Sequence, residues 1–221
     1  MKGFWGILPL VLMATAATNV ANAGIIQIEP VPDIDAVYLD IAYDGTTYTV
    51  QGFANSLTAV IASLPPVQYF ISYDDPFTPT FTLTAQISSA GVATGGALNI
   101  YGCLNDYPDS PGCPGAGLLL QSTSLVDFGF EPFEGGEVFF SFDGLTGALA
   151  PLFGEKAYVK VNTSFAFPGD AFPGDFSAPF SNSDIFSNVA DTGVTPEPGT
   201  WVFLATGLGC LCLGQRKFRR S

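Results

Sequence analysis

Alternation with a period of two constrains this chain more than any other feature. In Ala36–Tyr43 the residues Val37, Leu39, Ile41 and Tyr43 alternate with Tyr38, Asp40 and Ala42. Successive side chains of a strand point to opposite faces, so the first set is expected on one buried face. Asp44-Gly45 and the run Thr46–Phe53 follow. Asp-Gly between two such runs predicts a β-hairpin closed by a two-residue type I′ turn. Phe81, Leu83, Ala85 and Ile87 alternate in the same way with Thr82, Thr84, Gln86 and Ser88. Further strands are expected over Val67–Tyr73, Thr80–Ser88, Ala97–Tyr101, Leu118–Phe128, Glu137–Phe142 and Tyr158–Phe167, whereas Gln51–Leu64 reads equally as strand or short helix. Short strands separated by turn signals predict an all-β domain, a β-sandwich with a jelly-roll-like or Greek-key order. Phe128, Phe130, Phe139, Phe140 and Phe142 would fill the space between its sheets.

The two ends of the chain follow other rules. Lys2, the apolar stretch Phe4–Ala17 and the small-residue site Ala21-Asn22-Ala23 before Gly24 have the order of a secretory signal peptide. At the other end, Pro196-Glu197-Pro198 leads into the apolar run Trp201–Gly214 and a basic tail of Arg216, Lys217, Arg219 and Arg220. The prolines hold that motif extended. The apolar run suits a membrane helix with Trp201 at the outer interface, and the basic tail keeps its end cytoplasmic. The run is short against the roughly 20 residues needed to span a bilayer, and snorkelling of Arg216 and Lys217 lengthens it.

These tail residues resemble the PEP-CTERM sorting domain of Gram-negative bacteria. The resemblance implies recognition of Pro196-Glu197-Pro198 by the membrane protease-transpeptidase exosortase, after signal peptidase has acted near Gly24. It implies export through the inner membrane, transient anchoring by the C-terminal helix, and delivery to the cell surface or an extracellular matrix rich in exopolysaccharide. A looser resemblance to other such proteins covers Gly96–Gly102, Leu118–Phe130 and Phe140–Phe153. The expected organisation is a signal peptide over 1–23, a β-sandwich over 24–165, a Pro/Gly-rich linker over 166–195 and the sorting signal over 196–221. The linker rests on the tandem Ala166-Phe-Pro-Gly-Asp170 and Ala171-Phe-Pro-Gly-Asp175, whose prolines and glycines break a ladder.

Removing both end signals leaves a segment without His, Trp, Met or Arg. Its nineteen carboxylates face only Lys156 and Lys160, a formal charge of −17. That balance repels nucleic acid and favours solubility. Without histidine there is no Ser-His-Asp or Cys-His nucleophile and no imidazole zinc site. A Ser-Lys arrangement would have to use Lys156 or Lys160. Carboxylate pairs of the kind glycosidases use remain, and Asp33/Asp35, Asp74/Asp75 and Asp106/Asp109 are candidate pairs for a hard cation such as calcium. Cys103 and Cys113 bracket a turn-rich segment, which outside the cytoplasm reads most simply as a disulfide-stapled loop. Cys210 and Cys212 lie in the apolar run. The expectation is an exported, non-catalytic surface or matrix protein without a cofactor. The alternatives are a carbohydrate-binding module using tyrosines such as Tyr48, Tyr101 and Tyr107, or a carboxylate-based glycosidase.

Overall fold

The computed structural model describes residues 31–60, 65–73, 77–104, 117–130, 137–162, 173–182 and 189–194. The strands are β1 (Asp33–Tyr43), β2 (Thr47–Ala59), β3 (Val67–Ser72), β4 (Phe81–Ile87), β5 (Ala93–Leu104), β6 (Gly117–Ser122), β7 (Ser124–Phe130), β8 (Glu137–Asp143), β9 (Lys156–Asn162), β10 (Phe180–Asn182) and β11 (Val189–Gly193), with one helical turn, α1 (Ala150–Phe153). Among the described residues strand accounts for 69% and helix for 3%, all-β as expected.

The hairpin of β1 and β2 forms, but its turn lies one residue beyond Asp44-Gly45. Tyr43 pairs with Tyr48, and the Asp44 N–H donates to the Thr47 carbonyl at 3.2 Å, which leaves Gly45-Thr46 at the centre. The Asp44 carboxylate causes the shift. It accepts the Thr46 and Thr47 N–H groups, both at 2.8 Å, which makes Asp44 the first residue of the turn. Gly45 takes φ +103°, a conformation that disfavours a side chain.

Bulges in β1 and β2 change which residues face inward. Register slips between Val37 and Asp40, where Tyr38 adopts φ +57°. Ile34 and Ala36 are therefore buried before the bulge, and Leu39, Ile41 and Tyr43 after it. Val37 leaves the set predicted by simple alternation, because a bulge inserts one residue and reverses parity. Gly52 of β2 permits the bulge: a Cβ there would lie 2.4 Å from Leu39 Cδ2 and 2.8 Å from the Val37 carbonyl oxygen. β2 then runs on to Ala59, so no helix starts at Gln51; residues 61–64 lie outside the description. Its first half pairs with β4 and its second with β3, so its polar groups are met along its length. Leu118–Phe128, expected as one strand, is two: β6 pairs with β5, and β7 pairs with β8.

Hydrogen bonds join all eleven strands in one sheet, in the order β3-β5-β4-β2-β1-β11-β9-β8-β7, with β10 added on β1 and β6 on β5. β8 stands four strands from β2, roughly 19 Å in a flat sheet. Yet the rings of Tyr48 and Phe140 stack with centroids 5.5 Å apart. The sheet is therefore rolled so that β8 faces β2 across a common core. Phe128, Phe140 and Phe142 belong to that core, and Phe130 packs against it half-buried. Phe139 is buried too but lies outside this cluster, on the opposite face of β8.

The expected linker over 166–195 is corrected by β10 and β11. β11 is an internal strand, paired with β1 on one side and β9 on the other. Phe176, one residue past the Ala-Phe-Pro-Gly-Asp repeat, is 1% exposed. Its ring lies 5.1 Å from Tyr43, 5.3 Å from Phe130 and 5.4 Å from Phe128. Prolines and glycines break ladders only where they stand, and the two short strands here are held by neighbours distant in sequence.

Candidate functional site

The residues that the sequence assigns to processing are Ala21, Ala23, Gly24, Pro196, Glu197, Pro198, Trp201, Arg216, Lys217, Arg219 and Arg220. All of them lie outside the described residues, as do Asp74, Asp75, Asp106, Tyr107, Asp109 and Cys113. No helix among the described residues is long and apolar enough to cross a membrane. Cys103 is buried near the end of β5; the other three cysteines lie outside the described residues. Ser72 of β3 donates its hydroxyl to the Cys103 carbonyl at 3.3 Å, which fixes that end of the strand.

Of the candidate carboxylate pairs, the structure brings together Asp33 and Asp35 and adds Asp191. Asp33 and Asp35 lie two apart on β1, on the face opposite the buried Ile34 and Ala36. β11 runs antiparallel beside them and sets Asp191 directly across from Asp35. Carboxylate oxygens of all three lie within 4.8 Å of one another. Sequence reasoning missed Asp191 because it falls in the stretch read as linker.

The flanking strands hold this cluster in place. Gln68 of β3 donates to the Ser56 hydroxyl at 2.9 Å, and that hydroxyl donates to Asp35 Oδ2 at 2.7 Å. On the other side the Lys160 ammonium of β9 lies 3.4 Å from Asp191 Oδ2 and 3.7 Å from Glu137 Oε1. Lys160 is thus engaged as a countercharge. Asp33 Oδ1 is buried without a hydrogen-bond partner. Burial, reinforced by the charges of Asp35 and Asp191 and opposed by Lys160, pushes the Asp33 carboxyl up to about 7. A neutral Asp33 hydrogen-bonded to Asp35 relieves the repulsion.

Such a triad can do two things chemically: share a proton between neighbouring carboxyls, or present hard oxygens to a divalent cation. It stands on a sheet face. A cavity of about 200 Å³ lies elsewhere, between Gly91–Ala93 and Leu125–Phe128, with Asp127 as its carboxylate.

Of the tyrosines considered for sugar contact, Tyr48 is excluded by position. It is wholly buried against Phe140, and its hydroxyl has no hydrogen-bond partner. Tyr101 is 39% exposed on β5. No family model, curated protein or solved structure matches the chain.

Proposed function

We propose that this is an exported, sorting-tagged surface or extracellular-matrix protein that is processed at both ends and performs no catalysis itself. The order Pro196-Glu197-Pro198, apolar Trp201–Gly214 and basic Arg216–Arg220 is the observation that carries this reading. Signal peptidase would release the chain at Gly24, and exosortase would act near Pro196. The rolled sheet is then a β-sandwich of jelly-roll or Greek-key kind, stapled by a Cys103–Cys113 disulfide and suited to an oxidising exterior.

The position of β11 supports the order of events. The strand ends at Gly193, so only Val194 and Thr195 separate an internal strand from Pro196. A cut at the motif leaves the sheet whole. With β11 reaching almost to Pro196, the domain would sit close to the membrane until it is released.

Intact mass and cellular location in the native host, with and without exosortase, test the proposal. The expected species begins at Gly24, ends near Pro196 and leaves the cell only when exosortase is present. A membrane-bound species retaining Arg220 in both strains would overturn it and make the tail a permanent anchor.

A further inference from the structure

Charge is divided along the sheet. β2, β3, β4, β5 and β6 contain no Asp, Glu, Lys or Arg, whereas the strand charges all fall on β1, β7, β8, β9 and β11. The boundary lies between β2 and β1, which are neighbours in the sheet. In a chain whose net charge is −13, so broad an uncharged surface forgoes the self-repulsion that keeps acidic proteins dispersed.

The outward side of this neutral half is built from amides and hydroxyls. Gln51, Thr82, Asn99 and Gln121 stand in register across β2, β4, β5 and β6. Gln121 Nε2 donates to Asn99 Oδ1 at 2.6 Å, and Asn99 Nδ2 donates to Thr82 Oγ1 at 3.5 Å. Beside that row Thr49 pairs with Thr84, and beyond it Thr47 with Gln86. The small residues Ala97 and Gly95 keep the β5 side low, and a Cβ on Gly95 would meet nothing within 4 Å. At the other end the face becomes aromatic. Tyr101 follows Asn99 by two positions, and Phe53 follows Gln51 by two, its ring 5.1 Å from that of Tyr73.

We propose that this face, the outer side of β2, β4, β5 and β6 ending at Phe53, Tyr73 and Tyr101, binds a chain of an uncharged polysaccharide. Each amide both donates and accepts, as does each sugar hydroxyl. Aromatic rings offer flat apolar surface to the C–H side of a pyranose. The absence of any ionic group on these strands leaves a charged ligand nothing to pair with, and the acidic half of the sheet repels polyanions. The proposal deepens the carbohydrate-binding alternative drawn from the sequence and does not depend on the route of export.

Affinity electrophoresis of the full chain, in a detergent without a sugar head group, tests it. The probes are dextran, a soluble β-glucan, xylan and galactomannan, with polygalacturonate as the charged comparison. Retardation by at least one uncharged polymer is expected. The double variant Q51A/N99A and the single variant Tyr101→Ala should each weaken it at least tenfold, and Thr84→Glu should abolish it by placing a charge mid-face. Thr84 is exposed between uncharged neighbours, so Thr84→Glu should keep its melting temperature, and Asp33→Asn on the acidic half should bind like the parent. No retardation by any of the four polymers, retardation by polygalacturonate alone, or retardation indifferent to these variants would overturn the proposal. None of these outcomes bears on processing at Gly24 and Pro196, which the mass measurement decides separately.

Discussion

Asp33 offers a quantitative test of how the acidic cluster is held. Its carboxyl, ordinarily near 3.8, is raised to about 7. Between those values the folded chain binds a proton that the unfolded chain has released, so folding stability falls as pH rises through the window. The contribution is fully present below about 3.8 and lost above about 7. The full shift corresponds to roughly 4 kcal/mol at 1.36 kcal/mol per unit. Solvent screening of a partly exposed group brings that to about 2 kcal/mol. Asp33→Asn keeps the shape and can still donate to Asp35, but it carries no charge at any pH. It should therefore stabilise the protein by about 2 kcal/mol at pH 8, a rise of about 4–8 °C in Tm for a domain of this size. At pH 4 it should change stability by less than about 0.5 kcal/mol, within the usual range for surface changes. Urea unfolding followed by circular dichroism at the two pH values gives both numbers. Equal effects at both, or a loss at pH 8, would refute the reasoning and mean that Asp33 is held ionised in the fold. A calcium-dependent rise in the parent's Tm, absent from the variant, would identify a cation as the cause.

Two further substitutions probe the core. Phe176→Ala should cost about 3–5 kcal/mol, the usual range for removing a buried phenylalanine, because its ring meets Tyr43, Tyr48, Phe128, Phe130 and Phe180. A urea midpoint that barely moves would mean that the segment after the repeat is not part of the core. Tyr48→Phe should be neutral or stabilising by up to about 1 kcal/mol, since it deletes a buried hydroxyl that has no partner. A clear loss by the same measurement would show that the hydroxyl is satisfied.

Much of the fold was legible locally. Alternation found β4 and most of β1, and turn chemistry found the hairpin, because a strand's two faces and a glycine's freedom are properties of a few adjacent residues. The limits were equally physical. Asp44-Gly45 marks a turn, but the Asp44 carboxylate, by capturing two N–H groups, decides which residues occupy its centre. Val37 is apolar and in phase, yet a bulge accommodated by Gly52 on the facing strand turns it outward. Leu118–Phe128 carries apolar residues at both ends and reads as one strand, and only pairing with different partners divides it.

By itself the sequence determined the class, all-β, and the absence of histidine from the chain, because composition and period-two patterning are complete before folding. It also carried the end motifs on which the export reading rests. Tertiary structure alone decided that 189–193 is an internal strand and that Asp191 joins Asp33 and Asp35. Only there, too, do five uncharged strands meet as one half of the sheet. Each of these joins residues far apart in the chain, and cross-strand register, which sequence neighbours do not encode, sets which of them meet.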